Sequence, residues 1–128
     1  MPPTVKKKLS SYRELLVWQK AMNLVASSYV LARKLPQSEL FALSSQIRRA
    51  AVSVPANIAE GYGRWNLKEY VHHLRIASGS LTELETHFMI GFRLGYLTAA
   101  DVERILIDTD ELGRMLMALV QKLSRRQI

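Results

Sequence analysis

Arg48, Arg49, Arg64, Lys68 and Arg75 cluster in one part of the chain, with the aromatic side chains of Tyr62 and Trp65 interleaved among them. Guanidinium groups suit bidentate contact with phosphate, and aromatic faces suit stacking on bases. The chemistry offered by this spacing is recognition of a nucleic acid. Lys6, Lys7 and Lys8 add a second basic run near the N-terminus. Each group also has a plainer role. Arg48 and Arg49 can pair with Glu39, Glu60 or a carboxylate of another subunit, Trp65 can belong to a helix-entry staple, and the lysines can form a solvated tail.

Bond-making chemistry is harder to assemble. Glu69 and His72 form one Glu-x-x-His pair, whereas a di-iron bundle needs that motif on each of two helices. His72 and His73 are adjacent and point about 100° apart on a helix, so they cannot chelate one ion together. Glu83 and His87 stand at i,i+4, the spacing of an ordinary surface contact on a helix. No nucleophile elbow, Walker loop or dinucleotide glycine pattern occurs. The sequence therefore predicts no catalytic residue, no metal and no cofactor, and a protein that is not an enzyme.

Asn57 is the unusual polar residue, because it falls on a hydrophobic seam where an unpaired amide costs about 1–3 kcal/mol. Its candidate partners are the carbonyl freed by Pro55, Glu60, and an arginine or serine of a neighbouring helix. It could contact a ligand, but the favoured role is structural, fixing helix register as buried asparagines do in coiled coils. Around it, Pro55 predicts a kink, while Gly61 and Gly63 supply left-handed positions at which a helix can end.

The elements that must position these groups are four amphipathic helices, expected at about 12–34, 39–61, 67–94 and 99–124, preceded by a flexible basic tail over 1–10. Ser11 with Glu14, Asn66 with Glu69 and Thr98 with Asp101 each have the capping-box form, and Ser38 is a candidate N-cap for the second helix. Trp65 with Tyr70 and Leu97 with Val102 stand where staples would. The seams are Leu15, Trp18, Met22, Val25, Tyr29 and Ala32; Leu40, Leu43, Ile47, Ala50, Val54, Asn57 and Gly61; Tyr70, Leu74, Ala77, Leu81, Leu84, Phe88 and Gly91; and Val102, Ile105, Thr109, Leu112, Leu116, Leu119 and Leu123. Connections of a few residues make successive helices antiparallel neighbours. The expected fold is all-α: an up-down-up-down antiparallel four-helix bundle with a kinked second helix, occupying 11–128 as one domain.

The 128 residues are 48% hydrophobic and include no cysteine, so one core is available without disulfides or thiolate metal sites. No stretch has the length of a membrane span or a signal peptide, and the expected compartment is the cytoplasm. The net charge of +7 is uneven, with seven lysines and arginines opposed only by Glu14 in the first 34 residues. A basic surplus raises the local concentration of polyanions. Leu106, Ile107, Met115, Met117 and Val120, with Ile76, Ile90 and Phe92, are apolar positions off the main seams, buried by wide helix stripes or by a subunit interface.

The runs LLVWQKAMNL, QIRRAAVSVPANIAEGYGR and LKEYVHHLRIASGSLTELET together resemble the four-helix-bundle family of 23S rRNA intervening-sequence proteins, over roughly Leu15 to Tyr96. The resemblance implies a small bacterial protein, related in fold to accessory proteins of diversity-generating retroelements, that assembles into a ring-shaped homo-oligomer, a pentamer. It carries Arg48, Arg49, Pro55, Asn57, Glu60, Gly61 and Arg64 as motif positions, none with a catalytic role. The expected function is a non-enzymatic oligomer binding RNA, or an RNA-processing enzyme, through Lys6, Lys7, Lys8, Arg48, Arg49, Arg64, Lys68 and Arg75. The alternative is a protein–protein scaffold without nucleic acid.

Overall fold

A computed structural model describes residues 11–126; Lys6, Lys7 and Lys8 lie outside the described residues. Four α-helices follow one another, α1 (Leu16–Ala32), α2 (Leu43–Tyr62), α3 (Leu67–Arg93) and α4 (Ala99–Arg125), with 3₁₀ turns at Tyr12–Glu14 and Gln37–Glu39 and no strand among the described residues. Paired contacts run in opposite directions along every neighbouring pair. Ser53 meets Ser80 while Asn57 meets His73, Glu85 meets Thr109 while Gly91 approaches Leu97, and Lys20 meets Glu111 while Lys34 meets Asp101. The molecule is an antiparallel four-helix bundle in up-down-up-down order.

The helix ends depart from the sequence pattern in three places. Ser11 accepts from the Arg13 N–H at 3.1 Å and closes only a 3₁₀ turn, and α1 starts later, after an extended Leu15 with no side-chain cap. Ser38 caps nothing. The chain makes a 3₁₀ turn after Pro36, and the Glu39 carboxylate accepts from the Leu43 N–H at 3.2 Å, delaying α2 to Leu43. At α3, Asn66 accepts from the Glu69 N–H at 3.0 Å, but the Glu69 carboxylate reaches Arg64 instead of returning to Asn66, and Trp65 is wholly exposed. That capping box and its staple do not form. Thr98 and Asp101 do complete both arms of theirs, at 3.0 and 3.2 Å.

α3 leaves through a Schellman motif. Gly95 has φ +83, its N–H reaches the Phe92 carbonyl at 3.0 Å, and the Tyr96 N–H reaches Gly91 at 2.9 Å. Gly61 and Gly63 do not serve that purpose. Gly61 lies inside α2 and Gly63 ends it with φ −77, a right-handed value open to any residue. The need at Gly61 is space, because a Cβ there would stand 2.8 Å from His73 Cβ and 3.1 Å from the Tyr70 carbonyl oxygen. α2 continues through the buried Pro55 as one helix, so the proline does not stop it.

The core is formed by one stripe from each helix, with Ile47, Val54, Ile58, Leu74, Leu84, Phe88, Leu112 and Leu116 fully enclosed. Large apolar side chains enclosed in this way each contribute about 1.5–3 kcal/mol. The α3 seam is buried as expected from Leu74 to Gly91. On α1 the buried column is Val17, Ala21, Leu24, Ser28, Leu31 and Ala32, with Met22 exposed and Trp18 and Val25 at its edge. That helix is apolar around most of its circumference, so periodicity does not select its inner face. On α2, Ile58 takes the enclosed position and Asn57 is only half-buried, while Leu40 lies before the helix and is exposed. On α4, Val120 is buried and Leu119 is partly covered. Ile76, Ile90, Phe92, Ile107 and Met117 remain exposed.

Candidate nucleic-acid interface

The polar residues between α2 and α3 form a chain of hydrogen bonds. Asn57 donates its side-chain N–H groups to the Ser53 carbonyl at 2.9 Å and to Ser53 Oγ at 3.0 Å, and Ser53 Oγ bonds Ser80 Oγ at 2.8 Å. A carbonyl can only accept, which fixes the Asn57 amide with its oxygen toward His73 Nδ1, 3.1 Å away. His73 must therefore donate from Nδ1. None of the partners expected for Asn57 from the sequence is used: its serine is Ser53, one turn back on its own helix, and its neighbour on α3 is a histidine.

The arginines divide by role. Arg48 is half-buried, donating to Ser44 Oγ at 2.8 Å and to the Leu40 carbonyl at 3.2 Å, while Ser44 donates to the Ala32 carbonyl. It braces the entry to α2 against the end of α1 and is no carboxylate's partner. Glu39 instead receives the Tyr96 hydroxyl at 3.1 Å, a bond that raises the tyrosine's pKa, with burial and the charge of Glu39 adding to the effect. Arg49 is exposed beside a shallow hollow edged by Gln46, Ser53, Ser80 and Glu83. Arg64 bridges Glu60 at 2.6 Å and Glu69 at 3.3 Å, on either side of the α2–α3 turn. Lys68 and Arg75 are exposed and have no ion pair among the described residues.

No group of three His, Asp or Glu side chains among the described residues is placed to hold a metal ion. His72 is exposed and Glu69 is engaged by Arg64. His87 is buried, unlike the surface residue its spacing suggested, with Nε2 3.4 Å from Glu83 and Nδ1 without a partner. Tyr70, edge-to-face with Tyr62, has its hydroxyl pKa pushed up to about 12, first by burial and then by Tyr62.

The main electrostatic feature is set by topology. Lys20–Glu111 at 3.3 Å and Arg114–Asp110 form a neutral waist, level with the Ser53–Ser80 contact. On one side lie the start of α1, the α2–α3 turn and the end of α4. That end holds Arg13, Arg64, Lys68, Arg75, Lys122, Arg125 and Arg126 against Glu14, Glu60 and Glu69, an excess of four positive charges. The opposite end holds Arg33, Lys34, Arg48, Arg49, Arg93 and Arg104 against Glu39, Glu83, Glu85, Asp101, Glu103 and Asp108, six of each sign. All the net charge of the described residues therefore sits at one end, which includes Lys68 and Arg75 and excludes Arg48 and Arg49. Lys122, Arg125 and Arg126, at the end of α4, belong to it although they are not among the residues expected from the sequence to contact nucleic acid.

The sequence model described as 23S rRNA-intervening sequence protein matches residues 13–118. No curated protein shows a significant match. Among solved structures, the chain is similar to a protein of unknown function from the S23 ribosomal protein family of Bacteroides thetaiotaomicron VPI-5482. That comparison gives 25% identity and a TM-score of 0.77 over 82% of this chain and 98% of the other.

Proposed function

Because this chain belongs to the 23S rRNA-intervening sequence protein family, we propose that it is a non-enzymatic, cytoplasmic bacterial protein that binds RNA through the basic end of its bundle. The carrying observation is the confinement of the excess charge to that end, beside a neutral waist and a balanced opposite end. A concentrated positive field draws in a polyanion and orients it, whereas the same charge spread over the surface would serve solubility alone. Lys68, Arg75, Lys122, Arg125 and Arg126 are the phosphate contacts of this proposal. Arg64 lies among them but its charge is offset by two carboxylates.

Salt titration of RNA affinity tests the proposal. With about four phosphates neutralised, log affinity falls against log salt with a slope near −3. A flat response, or no RNA retained at low salt, refutes it.

A second proposal, a homo-oligomeric scaffold, is supported by a different observation. Ile107 and Met117 on α4 and Met89 and Phe92 on α3 are exposed apolar side chains. Self-association would cover such surface, and the family resemblance implies five copies. Light scattering gives the particle mass directly. A monomer across the accessible concentration range eliminates this proposal and leaves the first standing.

A further inference from the structure

Trp65 is fully exposed at 103%, and it is the only large apolar side chain left exposed between residues 53 and 75. Its turn is nevertheless hydrogen-bonded on both flanks. The Gly63 N–H bonds the Ala59 carbonyl at 3.2 Å, the Arg64 N–H bonds Gly61 at 3.1 Å, and Asn66 caps α3. Arg64 clamps the end of α2 to the start of α3 through Glu60 and Glu69. The indole is thus carried on a braced turn at the basic end, with Lys68 following in the first turn of α3.

We infer that Trp65 is a stacking platform for an unpaired nucleobase, and that the ligand class of this end is RNA with a single-stranded loop, bulge or terminus. The inference rests on the proposed RNA binding and narrows it. A base inside a duplex has both faces covered by its neighbours, so only an unpaired or terminal base can lie on an indole. The hydrogen-bonded backbone of the turn leaves mainly the two torsions of the indole itself to be ordered on binding, which favours a ring used for contact. With Arg64 engaged, the cation next along the chain for a flanking phosphate is Lys68, while Arg75, Lys122, Arg125 and Arg126 serve the rest of the strand. A membrane surface fits less well, because interfacial anchoring needs an apolar face and this turn presents one ring.

Fluorescence polarisation of the full chain with three labelled oligonucleotides of equal phosphate number tests this: a single strand, a hairpin with an open loop, and a fully paired duplex. Trp65→Ala is expected to weaken the single strand and the hairpin by roughly 5- to 150-fold, as removal of one stacked base does. The salt slope is expected to stay unchanged, the duplex, which offers only the outer faces of its two end pairs, to lose least, and Trp65→Phe to retain most of the binding. Circular dichroism checks that both variants remain helical. If Trp65→Ala binds all three RNAs like the parent, the inference falls while binding by the basic end survives. If the parent retains no RNA at low salt, both fall. Tighter, Trp65-dependent binding to anionic phosphatidylglycerol vesicles than to RNA, or a change of particle mass in Trp65→Ala, overturns the inference in favour of a lipid surface or a second copy of the chain.

Discussion

His73 Nδ1 donates to Asn57 Oδ1 across 3.1 Å, while the Asn57 amide nitrogen is tied to the Ser53 carbonyl one turn earlier. With the Ser53–Ser80 bond the pair joins α2 to α3, and an axial slip of one helix along the other would part both cross-helix bonds, the geometry that a register role requires. Both residues are only half-buried. Asn57→Leu removes the acceptor and leaves the His73 N–H to water, so a decrease of about 1 kcal/mol is expected in urea unfolding, near the low end for removal of a buried hydrogen bond. An unchanged or raised midpoint with the same particle mass would contradict the register role.

Gly61 and Gly79 make a matched pair of tests, since both stand inside helices but only one is crowded. A Cβ at Gly61 would meet His73 Cβ at 2.8 Å, whereas a Cβ at Gly79 meets nothing within 4 Å. Gly61→Ala should destabilise by about 1–3 kcal/mol through overpacking, which outweighs the helix-propensity gain. Gly79→Ala should stabilise by about 0.5–1 kcal/mol. Thermal melts of the two variants decide this; similar shifts would show that the α2–α3 approach is not limiting.

Asp101 ties α4 to α1 through Lys34 at 2.9 Å, and this hydrogen bond is the leading cause that holds its carboxyl below the ordinary 3.8, with Thr98 assisting and burial opposing. A carboxyl with a depressed folded pKa adds stability above its unfolded value and loses it as pH falls through the folded one. The contribution should therefore begin to fall below about pH 4 and be lost once pH passes beneath the depressed folded value. Lys34→Met should shrink the acid limb of the melting temperature against pH. An identical acid limb in parent and variant would exclude Lys34 as its source.

Tyr70 gives the opposite limb. Its pKa is raised to about 12 from the ordinary 10.0, so the unfolded chain ionises first and folding stability, complete below pH 10, declines as pH rises toward 12. Ultraviolet titration of phenolate absorbance should show a tyrosine titrating near pH 12, besides the raised Tyr96, that disappears in Tyr70→Phe. Disappearance of an ordinary, early-titrating group instead would place the hydroxyl in water.

Charge reversal separates the two ends of the bundle. Lys68→Glu combined with Arg75→Glu should weaken RNA binding and make the salt slope shallower by about 0.7 for each single-strand phosphate that is no longer neutralised. Arg49→Glu, at the balanced end, should leave both unchanged. Equal weakening from the two ends would mean that RNA responds to net charge rather than to its placement.

Much of the architecture is legible in the chain because helical burial repeats every three or four residues, and α3 and α4 repeat cleanly. The misplacements share a cause. Where a helix is apolar on several sides, as α1 is, or where two adjacent columns compete, as Asn57 and Ile58 do, periodicity cannot choose the inner column. Helix entries are mistaken where a carboxylate has another partner. Glu69 is drawn to Arg64, and Glu39 caps α2 from outside the expected helix start. Gly61 stands out along the chain as a helix exit, whereas its real requirement is the closeness of His73, which no local pattern reveals.

The candidate site shows the same division. Composition establishes a basic chain, and the QIRRAAVSVPANIAEGYGR stretch identifies the family. Arg48, Arg49 and Arg64 look alike there because each is an arginine beside a helical seam. Only the folded molecule separates them into a brace within the scaffold, an exposed cation at the balanced end and the clamp of a turn. Antiparallel alternation also brings Arg13, Lys68 and Arg75, and Lys122 to Arg126 to one end, although they are far apart in sequence. Local pattern fixes helices because their hydrogen bonds and periodicity are local, whereas a surface field depends on which helix ends are neighbours in space.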